Sequence, residues 1–131
     1  MLVGPLLQTQ TPVPAAVTTA GNVTYTVAQI LSGFILRDPN GAARTDTLPT
    51  AAQLVAGISP LAVGSSVSFV VMNASDGAAD AENITIAAGA GGGFDAAQAA
   101  AARVVRSQAS RTIIIRFTNV TLGAEAYVVY M

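Results

Sequence analysis

Apolar and polar residues alternate in several stretches of the chain, most clearly in its second half. Residues 112–118 read Thr-Ile-Ile-Ile-Arg-Phe-Thr, with Ile113, Ile115 and Phe117 on one side of an extended chain. The stretches 66–73, 83–87 and 126–130 follow the same period of two. That period indicates strands with one buried face. Its recurrence predicts a mainly β fold, an antiparallel β-sandwich or barrel of jelly-roll type, as a single domain over residues 22–131.

A second pattern, typical of the start of a helix, occurs twice. Thr50 can cap a helix, and Gln53 has the spacing at which its side chain reaches back to the Thr50 N–H. Pro49 blocks a helix from the preceding residues, and Gly57 is predicted to end the helix in the left-handed conformation. The pattern recurs at residues 26–33. Two turns are too few to be stable alone in water, so both helices are expected to pack against the sheet.

Residues 95–108 are ambiguous between helix and strand. Asp95 and Gln98 repeat the capping spacing before a run of alanines, which favours a helix or helical turn at about 96–102. A strand over 103–107 would follow. The alternative is one continuous helix to Arg106. The fold is therefore expected to contain two or three short helices, and the glycine-rich residues before Phe94 are expected to form a loop.

Residues 1–21 are predicted to form an extended N-terminal arm, because prolines exclude a helix there. Four apolar residues of this segment are candidates for contact with another subunit: Leu2, Val3, Leu6 and Leu7. The alternatives are a frayed terminus or an edge strand of the same domain. Deletion of residues 1–20 is expected to leave a folded domain but to weaken assembly.

Composition argues against catalysis and for association. Only 10% of the 131 residues are charged, 52% are hydrophobic, and the net charge is −1. Such a thinly charged, apolar-rich chain tends to associate. Histidine, cysteine and lysine are absent, which removes the common proton-transfer groups and several nucleophiles. The chain is therefore expected not to be an enzyme and to need no cofactor.

The residue composition also limits which ligands and partners we expect the chain to bind. Asp76, Asp80 and Glu82 are close enough in sequence to hold calcium but lack the EF-hand order, so no metal site is predicted. A slightly negative chain with few aromatics is not expected to bind nucleic acid. The sequence contains no run of 18 apolar residues without a charge, so no membrane span is predicted.

All six positive side chains are arginines, and four of them fall between residues 103 and 116. Arg103, Arg106, Arg111 and Arg116 are predicted to share one hairpin. Arg103, Arg106 and Arg116 are candidates for pairing with carboxylates across a subunit contact, with plain solvation as the alternative.

The order of several short strings resembles a known group of proteins. They are TYTVAQILSG at 24–33, RDPNGAARTDTLPTAAQL at 37–54, VGSSVSF at 63–69 and RFTNVT at 116–121. In this order they resemble small β-structured virion proteins of tailed phages and other double-stranded DNA viruses, which act as capsid decoration, cement or spike-like modules. Residues 37–54 carry most of the resemblance, and no catalytic residue is implied.

The resemblance implies a homo-oligomer, with a trimer expected, that is made in the host cytoplasm, binds the major capsid protein on the virion surface and stabilises the shell. The candidate contact residues of the arm and the three candidate arginines would then contact another subunit or the capsid. The alternative is a spike or tail-fibre module that binds a host receptor or glycan. Within the subunit, the helix after Pro49 would fix one end of the domain. The structural latch implied there comprises Arg37, Asp38, Arg44 and Asp46, which would hold the preceding loop, and Pro49, Thr50, Gln53 and Gly57 of the helix.

Overall fold

The computed structural model describes residues 13–77 and 81–131 and consists mainly of strands, as predicted. The strands are β1 (Ala15–Val17), β2 (Phe34–Arg37), β3 (Arg44–Thr47), β4 (Ser66–Asn73), β5 (Ile84–Ala87), β6 (Gly92–Phe94), β7 (Val104–Val105), β8 (Ser110–Asn119) and β9 (Ala126–Tyr130). The helices are α1 (Val27–Leu31) and α2 (Ala51–Gly57), and a 3-10 turn lies at Ala100–Ala102.

The strands form two sheets of mixed direction. One sheet has the order β1-β2-β4-β8-β9-β6 and the other the order β3-β5-β7. Within the described residues, four of the seven strand pairings are parallel, so the expectation of an antiparallel fold is wrong for these pairs. The reason is that β2 to β8 fall alternately in the six- and three-stranded sheets. Parallel neighbours need such long crossover connections.

The buried side chains of both sheets belong to one apolar cluster. Phe69 and Val71 of β4 and Ile113 and Ile115 of β8 face inward, each at most 2% exposed. The period-two pattern therefore identified the buried face of these strands. Asn73, in phase with Phe69 and Val71, joins the sheets: its Nδ2 donates to the carbonyls of Glu82, at 2.7 Å, and Val105, at 3.2 Å.

Both capping boxes are present, but Gly57 has a different role from the predicted one. In α1 and α2 the threonine and glutamine side chains each bond to the other's backbone N–H. The left-handed glycine is Gly33, after α1, with φ of 81°. Gly57 instead remains within α2, where a Cβ would lie 2.8 Å from Cγ1 of Val27. A glycine is required there because the two helices touch at this point.

Residues 92–119 differ from the prediction, which placed the four arginines between residues 103 and 116 in one hairpin. The short-turn interpretation of residues 95–108 is confirmed by the 3-10 turn and β7, and the continuous helix is wrong. However, β7 pairs with β5 in the smaller sheet, whereas β8 pairs with β4 and β9 in the larger one. The arginines of residues 103–116 therefore do not share a hairpin. The glycine-rich residues, expected to form a loop, supply the edge strand β6.

The first described residues are part of the domain itself. Ala15 lies opposite Ile35 and Val17 opposite Arg37, so β1 is an edge strand of the six-stranded sheet. The domain thus extends to residues before the predicted boundary at 22. Of the three alternatives for this segment, the edge strand applies to β1, whereas Leu2, Val3, Leu6 and Leu7 lie outside the described residues.

Substitution of Gly92 tests the close approach of β6 to β9. A Cβ at Gly92 would overlap the ring of Tyr127, whereas a Cβ at the next residue, Gly93, would meet nothing within 4 Å. Overpacking of this kind usually costs about 1–3 kcal/mol. We expect Gly92→Ala to lower the free energy of unfolding by that amount in urea titrations. The matched variant Gly93→Ala should change it little, and equal effects would contradict this packing.

Candidate functional site

Arg37 and Asp46 form a fully buried ion pair between the two sheets. Arg37 ends β2 and Asp46 lies in β3, and both side chains are 0% exposed. Nε of Arg37 donates to Oδ2 at 2.6 Å and Nη2 donates to Oδ1 at 3.2 Å. The hydroxyl of Tyr25 donates to Oδ2 at 2.8 Å, and the backbone N–H of Val23 donates to Oδ1 at 3.2 Å. Arg37, Asp46 and Tyr25 are called the Arg37 cluster below.

The remaining donors of Arg37 hold the segment before α1. Nη1 donates to the carbonyl oxygens of Thr19, at 2.9 Å, and Asp38, at 2.7 Å. Nη2 donates to the carbonyl of Gly21 at 2.6 Å. A buried charge is costly unless it is paired and hydrogen-bonded, and the planar guanidinium can serve several acceptors at once. The cluster therefore fastens the N-terminal segment to both sheets.

Burial changes the acidity of Tyr25. Removal from water, and then the neighbouring carboxylate of Asp46, raise the pKa of Tyr25 far above its ordinary value of 10.0, and Arg37 lowers it in part. Burial also raises the pKa of Tyr127, against a lowering by the hydrogen bond from Gly89. Both phenols thus stay protonated in the folded protein at pH values where the unfolded chain would release the protons.

This difference predicts a loss of stability at high pH. Below pH 10 both states hold the proton, so the contribution is constant; above pH 10 the unfolded state gains by ionising and the folded state does not. Each such tyrosine lowers the free energy of unfolding by up to about 1.4 kcal/mol per pH unit there. We expect Tyr25→Phe to flatten the decline between about pH 10 and 12 in urea titrations. An unchanged slope would contradict the burial of this phenol.

The other charged residues of the predicted latch bond to backbone. Oδ1 of Asp38 accepts from the N–H of Asn40 at 2.9 Å. Nε of Arg44 donates to the carbonyl of Pro39 at 2.9 Å. A residue outside the predicted set also holds this loop, since Oε1 of the buried Glu82 accepts from the N–H of Gly41 at 2.8 Å. The loop between β2 and β3 is thus fixed mainly through its own peptide groups.

The helical part of the predicted latch is tied to β9. Oγ1 of Thr50 accepts from the N–H of Gln53 at 3.1 Å, and Oε1 of Gln53 accepts from the N–H of Thr50 at 3.0 Å. The carbonyl of Pro49 accepts from the hydroxyl of Tyr127 at 2.9 Å. Tyr127 also accepts from the N–H of Gly89 at 2.8 Å, so it joins the start of α2 to the approach to β6.

The arginines predicted to make intermolecular contacts have separate environments. Cζ of Arg103 lies 4.2 Å from the centroid of the Phe94 ring, and its Nη2 donates to the carbonyl of Gln98 at 2.9 Å. Arg103 is therefore bound within its own domain. Arg106 is exposed in the connection from β7 to β8, and Arg116 is exposed in β8.

The side of the six-stranded sheet that points away from the core has an unusual composition. This side of the sheet is called the outer face below. Its apolar members lie outside the buried cluster and are only partly covered: Phe34, Leu36, Val70, Met72, Ile114, Val128 and Tyr130. In register, Ser68 lies opposite Ile114, and Ile114 opposite Tyr130. Serine, threonine and small residues fill the remaining positions. Among the described residues that point outward from these strands, Arg116 alone is charged.

Two of the important polar residues could have been found from the sequence. Arg37 is in phase with Ile35, and Asn73 is in phase with Phe69 and Val71. A polar residue at a buried phase of a strand predicts an internal hydrogen-bonded link. Tyr25 and Tyr127 gave no comparable signal, because their partners lie 21 and 78 residues away.

Within 13–77 and 81–131, no three His, Cys, Asp or Glu side chains stand close enough together to hold a metal ion. In the same part of the chain, no helix has the length and apolar character needed to cross a membrane.

Comparisons with protein families, with characterised proteins and with solved structures give no match.

Proposed function

We propose that the chain is a virion structural protein with a jelly-roll-like β-sandwich fold, a capsid decoration or cement protein. It binds the major capsid protein on the outside of the shell as a homo-oligomer, with a trimer expected. One observation carries this proposal: the outer face has many apolar, partly exposed side chains and bears a single charge among its described residues. A monomer in water would expose this surface, whereas an assembled protein would cover it.

Cementing by such a protein is mechanical. Each copy covers apolar surface on its neighbours and on the shell, and many modest attachments act together through multivalency. The domain itself is braced by the Arg37 cluster and by the links from Tyr127 and Asn73 between its elements. Because these links join distant elements, we expect the domain to bear mechanical load without local unfolding.

A glycan-binding tip would be expected to offer aromatic side chains in exposed loops. Tyr25 and Tyr127 are 1% and 2% exposed, and the ring of Phe94 is covered by Arg103. Their placement supports a decoration protein over a spike or fibre module.

The number of copies in purified particles tests the proposal. Particles of the virus that encodes the chain are purified, and the chain is quantified by mass spectrometry with isotope-labelled peptides, relative to the most abundant shell protein. We expect a ratio of the order of one copy per few shell subunits. A few copies per particle would favour the spike or fibre module, and absence from the particle would refute both.

A further inference from the structure

We propose that the apolar residues at positions 2–7 of one copy pack on the outer face of a neighbouring copy. This deepens the proposed function by naming the surface and the segment that the copies share. It does not depend on which shell the protein decorates, because the contact lies between two copies of this chain.

The outer face suits an uncharged extended peptide. Met72, Ile114 and Tyr130 are 38%, 39% and 36% exposed, which is high for apolar residues in the middle of a sheet. The hydroxyl groups of Ser68 and Thr112 stand among them and are exposed. An extended peptide could place apolar side chains between the apolar groups and bond its carbonyls to the hydroxyls.

A second copy packed face to face is the less favourable occupant. The outer face carries a positive charge, Arg116, and no carboxylate among its described residues. Two such faces in contact would bury two like charges without a partner, which is costly. A segment without charged side chains avoids that repulsion.

The N-terminal segment matches the face in composition and reach. Residues 1–12 contain no charged side chain but include Leu2, Val3, Leu6 and Leu7. The described chain begins at Val13, which is 80% exposed, two residues before β1 at the edge of the same sheet. Twelve extended residues reach about 40 Å, and six strands span about 24 Å. The segment is thus long enough to cross the whole face.

The prolines favour a neighbouring copy over the chain's own face. Pro12 and Pro14 disfavour the helical region at the residues before them and favour extended backbone there. A segment that continues outward from the sheet edge reaches another copy more readily than it folds back.

A disulfide trap tests both the contact and its intermolecular nature. The chain has no cysteine, so each introduced thiol is unique. Full-length Leu6→Cys and Ile114→Cys variants, one of them carrying an affinity tag, are mixed and oxidised. We expect a mixed disulfide dimer on a non-reducing gel. The control pair Leu6→Cys and Thr45→Cys, with Thr45 exposed on the smaller sheet, should give at least about tenfold less mixed dimer.

Three other results would overturn the proposal. One is equal trapping by the control pair, and another is no trapping at all. The third is a trap that forms only within a single chain carrying both cysteines, which would show that the segment covers its own sheet. None of them changes the number of copies in particles, so failure of this contact is distinguishable from failure of the proposed function.

A charge-insertion variant provides a second readout. Full-length Met72→Glu/Ile114→Glu should weaken self-association by about 100-fold, measured by sedimentation over a range of concentrations, because the contact would bury both carboxylates. The control Leu122→Glu places one glutamate at a residue that is 93% exposed in the β8–β9 connection. Equal association of the face variant and the control, with both folded by circular dichroism, would contradict the proposal.

Discussion

Replacing Arg37 with methionine is expected to lower the free energy of unfolding by about 3–5 kcal/mol, the usual cost of breaking a buried ion pair. The substitution leaves the carboxylate of Asp46, which is 0% exposed, without its cation. It also leaves the carbonyls of Thr19, Gly21 and Asp38 without the donor that serves them. Urea unfolding followed by circular dichroism measures the loss.

Two comparisons make this result specific. Arg44→Met removes a guanidinium that bonds to loop carbonyls nearer the surface, and should cost about 1 kcal/mol or less. The double variant Arg37→Met/Asp46→Leu should remain well below the wild type. Its apolar pair removes the charges but leaves Tyr25 without its acceptor and the three carbonyls without their donor. A loss below about 1 kcal/mol for Arg37→Met would contradict the bracing role of the cluster.

Removal of residues 1–21 is expected to prevent stable folding, whereas removal of residues 1–12 is expected to leave the domain folded. The longer deletion takes away β1, the buried Val17 and two of the carbonyls that Arg37 binds. Arg37 then keeps a buried charge with fewer partners, at a cost of several kcal/mol. This replaces the expectation, drawn from the sequence, that a chain without residues 1–20 would fold.

Thermal unfolding of the two truncated chains measures this difference. The chain that begins at Val13 should unfold within about 2–4 °C of the full chain, a shift of about 1 kcal/mol or less. It should also lose self-association, if residues 2–7 make the contact proposed above. The chain that begins at Asn22 should show no cooperative transition. Cooperative unfolding of that chain near the wild-type temperature would contradict the role given to residues 13–21.

The alternation of residues was enough to predict the strands but not their partners. The buried side of β4 and β8 follows from Phe69, Val71, Ile113 and Ile115, and the capping box follows from Thr50 and Gln53. These features depend on neighbours within a few residues. Strand direction depends instead on the chain alternating between two sheets, and nothing in the local pattern records this.

Long-range contacts explain the other errors. Gly57 had the spacing of a helix-ending glycine, yet it is required by contact with Val27, 30 residues earlier. Residues 13–21 appeared to be part of an arm because Pro14 and the small residues after it form no local pattern, but Arg37 binds the carbonyls of Thr19 and Gly21. In both cases the decisive partner is distant in sequence. The Arg37–Asp46 pair could be suspected because the two residues flank one loop and Arg37 is in phase with the buried Ile35, whereas the bonds from Arg37 to the carbonyls of Thr19 and Gly21 could not.

The proposed decoration role can be tested with a cryo-electron microscopy map of the virus particle that this role implies. We expect many symmetry-related copies of this domain outside the shell. In each copy, the outer face around Ile114 should be covered by extended density leading to residue 13 of a neighbouring copy. A map in which the domain is absent from the shell, or in which Met72, Ile114 and Tyr130 face bare solvent in every copy, would contradict it.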